Sequence, residues 1–171
     1  MREPTEKSKE GLKNYLDLAG VIIVALNREG NITLLNKKGY ELLAYDNGEL
    51  VGKNWFETCI PKKKRKELKN VFNAIIKGDI EPFEFYTNSI LTKKSDERII
   101  SWQNTLLHDD NGNIIASLSS GEDITELTEI EEKLKESQEQ LTNLFNSIPF
   151  GIHMYHLFED GRLVFIGANP A

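Results

Sequence analysis

The second half of the chain contains three β-rich runs in close succession: PFEFYTNSILT (residues 82–92), ERIISWQNTLLHD (97–109) and NIIASLSSGED (113–123). The runs contain many β-branched and aromatic side chains, which favour strands. Turn-forming residues separate them at 94–96 and 109–112. We therefore predict three antiparallel strands that follow one another through short turns.

A β-hairpin precedes these runs. Its strands are VIIVALN (21–27) and ITLLN (32–36), and the Gly30-Asn31 pair lies in the turn between them. The segment 37–77 has apolar residues at helical spacing and is interrupted by glycines, which is typical of several short helices. Two strands, a helical insert and three strands predict an α+β domain, with a five-stranded antiparallel sheet and helices on one face.

The composition excludes several classes of function. With 171 residues and a net charge of −6, the chain has room for one domain plus an appendage, and general affinity for nucleic acid is not expected. No run approaches the roughly 18 apolar residues of a membrane span, and the polar N-terminus lacks the apolar region of a signal peptide. The single cysteine, Cys59, fits a reducing compartment. We expect a cytoplasmic protein without a membrane span in this chain.

Helical segments flank the predicted domain. Residues 1–19 predict an N-terminal amphipathic helix. Residues 125–148 predict a long exposed helix, because positions 125–147 hold six Glu and two Lys without Gly or Pro. Its apolar residues recur at steps of three and four once Ser137 fills one gap: Leu127, Ile130, Leu134, Leu141, Leu144 and Ile148. This heptad spacing favours a parallel coiled coil and a homodimer, while a helix packed on its own domain stays open.

The end of the chain repeats its first hairpin. Residues 146–171 parallel residues 16–39, with Asn169 at the position of Asn36. Because an isolated hairpin is only marginally stable in water, we predict that this segment is the severed start of a second domain of the same kind. The predicted organisation is an N-terminal helix (1–19), a complete domain (20–124), a linker helix (125–148) and a truncated second domain (149–171).

Four short motifs occur in an order and spacing that resemble a PAS domain over residues 10–125. They are Asn36, Leu50-Val51-Gly52-Lys53, Asp110-Asn111-Gly112-Asn113, and Gly121-Glu122-Asp123-Ile124-Thr125, which looks like the DIT motif that closes sensory PAS domains. The resemblance implies the input module of a multi-PAS signal-transduction protein. Its expected output and downstream partner is a sensor histidine kinase, with a diguanylate cyclase or a regulator as the other options.

The resemblance also implies a route for the signal. A small ligand or partner would act on the domain, and a relay of Gly121, Asp123, Ile124 and Thr125 would pass the change to the coiled coil. The Asp123 carboxylate is expected to be held by hydrogen bonds. Strand alternation places Trp102 and Asn104 on one face of the sheet; we expect the pocket face, and an outer face that covers a dimer interface is the open alternative. The candidate ligand-binding residues are Asn36, Trp55, Phe72, Phe85, Trp102 and Asn104.

A ligand-free dimerisation scaffold is the alternative function. It predicts a pocket packed solid by four aromatic side chains: Phe72, Phe83, Phe85 and Trp102. No catalytic motif is apparent, so we do not expect this chain to be an enzyme. No metal site is expected either, because His153 and His156 would lie on opposite faces of a strand.

The residue types present limit which cofactors this chain could bind. Our first expectation is that it binds none. Light-oxygen-voltage photosensors carry a cysteine after a GxN pattern, whereas Trp55 follows Asn54 here, which disfavours covalent flavin. Haem-binding PAS sensors commonly take an axial histidine from one helix, which corresponds to residues 61–77 of this chain. This segment contains no histidine, so haem is disfavoured. Ligation of haem by the Cys59 thiolate is disfavoured as well. Noncovalent FAD stays open: Trp55 and Trp102 would stack on its ring, with Asn104 or Gln103 at its edge.

Overall fold

The computed structural model describes residue 11 and residues 14–171. Most of the predicted N-terminal amphipathic helix therefore lies outside the described residues, although residues 14–18 are helical. The chain forms two compact units, one ending at Thr125 and one beginning at Glu126.

The first unit alternates strands with short helices. In chain order its elements are β1 (Ile22–Asn27), β2 (Ile32–Leu35), α1 (Lys37–Leu43), α2 (Trp55–Thr58), α3 (Arg65–Ile76), a 3-10 helix (Glu81–Phe83), β3 (Phe85–Leu91), β4 (Glu97–His108) and β5 (Ile114–Asp123). The strands form one sheet in the order β2-β1-β5-β4-β3, and all neighbours are antiparallel. The predicted α+β class and five-stranded antiparallel sheet are confirmed.

Two asparagines fix the starts of the first two helices. The Asn36 side chain accepts a hydrogen bond from the Gly39 N–H at the start of α1. The Asn54 side chain accepts hydrogen bonds from the first turn of α2. Such caps satisfy backbone donors that a helix leaves unpaired at its N-terminus, so each helix begins at a defined residue after a strand or turn.

The core fills the space between the sheet and the helices. Helix α3 buries one face, which consists of Leu68, Phe72, Ile75 and Ile76. The side chains that are almost completely buried come from all parts of the first unit: Ile22, Ile32, Leu43, Leu50, Ile60, Ile90, Ile100 and Cys59. Apolar burial of this extent is the main stabilising contribution to the domain.

The second unit consists of most of a long helix and a hairpin. Helix α4 (Thr125–Ser147) begins at the last residue of the first unit, and β6 (His153–Leu157) pairs antiparallel with β7 (Leu163–Ala168). Among the helices that the structure describes, none is long and apolar enough to cross a membrane.

Candidate functional site

A small cavity lies between the inner face of the sheet and helices α2 and α3. The central strand β5 leaves this space because its inward positions there carry the small residues Ser117 and Ser119. The volume is about 70 Å³. The lining residues are Val24, Leu26, Trp55, Phe56, Leu68, Val71, Phe72, Ile75, Tyr86, Asn88, Trp102, Asn104, Ser117 and Ser119.

Aromatic side chains form the wall of the cavity. The Trp55 and Trp102 rings meet edge to face, with centroids 5.9 Å apart and planes at 85°. The Phe56 and Phe72 rings are 5.2 Å apart. The Trp102 indole N–H donates a hydrogen bond to the Asn88 side-chain oxygen, which fixes the orientation of this ring. Such a wall buries apolar or aromatic groups well.

The polar groups of the cavity are mostly satisfied by one another. Asn104 Nδ2 donates to the Phe83 carbonyl at 2.7 Å, and Asn104 Oδ1 accepts from the Ser119 hydroxyl at 2.6 Å. Ser117 also lines the cavity and is only 3% exposed. No charged side chain among the described residues lines the cavity.

The end of the sheet is joined tightly to the start of α4. Thr125 Oγ1 accepts a hydrogen bond from the Ile99 N–H at 2.8 Å and donates one to the Asp123 carboxylate. Asp123 Oδ1 also accepts from the Thr125 N–H at 3.0 Å, and its other oxygen lies 3.9 Å from an Arg98 guanidinium nitrogen. The Ile124 N–H donates to the Ile99 carbonyl at 2.9 Å. These four residues of β4 and β5–α4 form what we call the joint: Arg98, Ile99, Asp123 and Thr125.

Comparison with known protein families identifies the family to which this fold belongs. The family described as "PAS fold" matches residues 16–129, which is well over half of the chain. The chain belongs to the PAS family. A search of curated proteins finds no match.

Solved PAS domains share the fold. A PAS domain from Colwellia psychrerythraea is 19% identical, with a TM-score of 0.56 over 69% of this chain and 98% of that one. The PAS domain of Bordetella pertussis BvgS is 17% identical, with a TM-score of 0.55 over 79% and 99%. The PAS domain of the Cronobacter turicensis quorum-sensing receptor RpfR, in complex with C12:0, is 25% identical, with a TM-score of 0.51 over 63% and 96%.

Four of the six candidate ligand-binding residues line the PAS cavity: Trp55, Phe72, Trp102 and Asn104. Their role in binding stays a prediction. Phe85 is corrected, because it is 70% exposed. Alternation along β3 directs its neighbour Tyr86 and also Asn88 to the cavity, so Phe85 points to the other face of the sheet.

Asn36 is also corrected, since it is a structural clamp away from the cavity. Its Oδ1 accepts from the Ile23 N–H at 2.9 Å, and its Nδ2 donates to the carbonyls of Leu16 and Val21 at 3.0 and 2.9 Å. Asn36 Oδ1 also accepts from the Gly39 N–H, so both the oxygen and the nitrogen of the side-chain amide are hydrogen-bonded. The side chain therefore ties the segment before β1 to the start of α1.

The sequence analysis missed the serines of the cavity. Ser117 and Ser119 carry a signal that could have been used: a central strand with small polar residues at alternate positions leaves space on its inner face. Asn88 was missed as well, although the same alternation of β3 that turns Phe85 outward turns Asn88 inward.

The cavity does not fit a flavin as the residues stand. About 70 Å³ is well below the roughly 300 Å³ at the lower end of ligand pockets for drug-sized molecules. The groups predicted to hold the ring, Trp55, Trp102 and Asn104, contact each other or other protein groups instead. Burial raises the pKa of the Cys59 thiol to about 12, which opposes thiolate ligation of haem. Within the described part of the chain, no cluster of three potential metal ligands occurs.

The second unit exposes its predicted dimer positions. Leu127, Ile130, Leu134, Leu141 and Leu144 are between 55% and 64% exposed, and Ile148, just past the end of α4, is half-buried. Exposed leucines at this spacing are available for a partner helix, and the coiled coil stays a prediction.

The hairpin of the second unit repeats the clamp of the PAS domain. Asn169 Oδ1 accepts from the Ile152 N–H at 2.7 Å, as Asn36 does from Ile23. Asn169 Nδ2 donates to three carbonyls that precede β6, including Ile148 at 3.1 Å. The two hairpins thus share a tertiary interaction as well as a sequence pattern.

Proposed function

We propose that this PAS domain is the input module of a signal-transduction protein, which binds a small molecule in its cavity and passes the change to α4. One observation carries the proposal: strand β4 contributes both to the cavity, through Trp102 and Asn104, and to the joint, through Arg98 and Ile99. A displacement of β4 at the cavity would therefore reach the first residue of α4 along a single strand.

The mechanism is a shift between two arrangements of the domain. A ligand that prefers one arrangement of β4 raises its population, by no more than its difference in affinity for the two. Because Thr125 is bonded to both Ile99 and Asp123, a small movement of β4 relative to β5 changes the direction in which α4 leaves the sheet. In a coiled coil such a change becomes a rotation or a change of register.

Two features support ligand binding over a ligand-free scaffold. The scaffold predicts a pocket packed solid by four aromatic residues, but Phe83 and Phe85 do not line the cavity, and a volume of about 70 Å³ remains. The RpfR PAS domain, 25% identical, is in complex with C12:0, a fatty acid. We carry over from it only that a domain of this kind takes a small molecule.

The wider context is part of the proposal. We infer a longer, cytoplasmic, tandem-PAS protein, in which the repeated Asn169 clamp marks the start of a second domain. The exposed seam of α4 supports a parallel homodimer, and the expected output is a sensor histidine kinase. This chain itself supplies the sensing step and no catalysis.

The test is uncoupling at the joint. We expect Asp123→Ala to leave the domain folded, because the residue lies outside the core, and to flatten the response of the output to ligand in the full-length protein. The matched control is Glu122→Ala, at the neighbouring exposed position. The proposal fails if the dose–response curve of Asp123→Ala matches wild type, or if Glu122→Ala flattens it equally.

A further inference from the structure

Helix α4 has a charged part next to the joint and an uncharged end. Its six Glu and two Lys all lie between Glu126 and Glu139, whereas residues 140–147 carry no charge. The exposed apolar seam runs through both parts. A parallel homodimer through this seam therefore brings the two strongly acidic parts together, directly after the joint, and pairs the uncharged ends with each other.

The heptad positions of α4 identify the residues that face each other beside the seam. The steps of three and four residues place Leu127 at position a and Ile130 at position d. Glu126 then occupies position g and Glu131 position e, and both residues are exposed. In a parallel coiled coil, each g residue lies beside the e residue of the next heptad on the partner helix. Glu126 of each copy thus faces Glu131 of the other.

This pair distinguishes the first heptad of α4 from the rest of the helix. The other g–e pairs carry no like charges: Lys133 with Gln138, and Gln140 with Phe145. Two carboxylates that face each other repel, which destabilises the pairing of the helices. Ser137, at position d, further weakens the seam between the two parts because it is small and polar.

We infer that the uncharged end of α4 holds the dimer together, while the repulsion between Glu126 and Glu131 opposes closure of the first heptad. The burial of Leu127 and Ile130 favours the closed form and the repulsion favours the open form, so the two forms differ little in free energy. A small movement at Thr125 can then shift the balance between them. The inference rests on the parallel homodimer of the proposed function and names the segment of α4 that opens and closes.

Charge reversal tests the assigned pair, with sedimentation of this chain measuring the dissociation constant of the dimer. Glu126→Lys replaces repulsion by attraction at two places in the dimer, so the constant should fall about tenfold in dilute salt. Glu131→Lys should have the same effect. The double variant opposes Lys to Lys and should lose this gain, although it carries more positive charge than either single variant.

A control variant and a change of salt separate the pair from a general effect of charge. Glu132→Lys makes the same change of charge at position f, which points away from the partner helix, and should alter the dissociation constant by no more than about threefold. In about 1 M salt the screening length falls to about 3 Å, so the gain of Glu126→Lys should disappear.

Distances between spin labels test where the dimer opens. Glu129→Cys and Asn143→Cys introduce thiols at the same heptad position, c, in the acidic part and at the uncharged end. The native Cys59 is completely buried, so the label attaches to the introduced thiol. We expect longer and more broadly distributed distances between the two copies at position 129 than at 143. Glu126→Lys should bring the distribution at 129 to that at 143.

The outcomes separate the inference from the proposed homodimer. If the double variant dimerises more tightly than either single variant, if neither single variant gains affinity, or if the distances at 129 and 143 agree in the wild-type sequence, the inference is wrong and the homodimer stands. If the chain stays monomeric both in its wild-type sequence and with Glu126→Lys, the homodimer of the proposed function is wrong as well.

Discussion

The substitution Gly121→Ala tests how the sheet is packed next to the joint. A Cβ at this position would lie 2.5 and 2.6 Å from two ring carbons of Trp102 and 2.7 Å from Ile100 Cγ2. Real Cβ atoms essentially never come within 3.0 Å of such neighbours. The Trp102 ring has little freedom to withdraw, because it packs on Trp55 and is bonded to Asn88. Gly121 is thus required by packing, independently of any relay.

The loss of stability expected for Gly121→Ala is the balance of two opposing effects. Overpacking a core costs about 1–3 kcal/mol, and contacts with two constrained side chains favour the upper end. Replacing a strand glycine by alanine returns about 0.5–1 kcal/mol of backbone entropy. The net loss of about 2 kcal/mol corresponds to a thermal midpoint lowered by roughly 10 °C.

Thermal unfolding followed by circular dichroism measures this loss. Gly20→Ala is the matched control, because nothing lies within 4 Å of its added Cβ, and its midpoint should stay close to wild type. In a Trp102→Leu background the cost of Gly121→Ala should shrink, since the main obstacle is gone. An unchanged or higher midpoint for Gly121→Ala would refute the packing argument.

Two further predictions concern stability. Asn36→Ala should lower the free energy of unfolding by about 2–4 kcal/mol in urea, because it removes four hydrogen bonds and leaves the Ile23 N–H unpaired. The control is Asn113→Ala, at an exposed position. A loss for Asn36→Ala no larger than that of the control contradicts the clamp. The hydrogen bond from Lys69, aided by Arg65, lowers the pKa of the Glu57 carboxyl below its ordinary 4.5. The unfolded chain therefore takes up the proton first, so the stabilisation by Glu57 is present above pH 4.5 and is lost as the pH falls through the lower folded pKa. The thermal midpoint of Glu57→Gln should accordingly fall less on acidification than that of wild type or of the control Glu97→Gln, and parallel curves would contradict this assignment.

The architecture was predictable because local signals agree with one another. The alternation of apolar and polar residues, the turn segments and the breaker-free helix each specify their element, and the short connections restrict how the strands pair. Alternation also places Trp102 and Asn104 on one face, and of the two sides left open by the sequence the structure shows the cavity side. Phe85 was chosen for its residue type, and the same alternation argument applied to β3 would have excluded it.

The remaining features depend on contacts between distant positions. The clamp role of Asn36 needs the carbonyls of Leu16 and Val21, which the sequence does not place beside it. The contact of Gly121 with Trp102 arises only when β5 is assembled between β1 and β4. Motif matching identified Asn36 and Gly121 as important and could not distinguish packing from binding or relay.

The most direct test of the account is to measure cavity occupancy and the state of the joint in the same titration. Xenon, an uncharged probe small enough for the cavity, is dissolved with this chain under pressure while tryptophan fluorescence reports the cavity and amide hydrogen exchange reports Ile99 and Thr125. The account predicts that exchange at these two amides changes with the same midpoint as the fluorescence, and that Asp123→Ala abolishes the change at Thr125. Saturation of the fluorescence signal with unaltered exchange at both amides would contradict it.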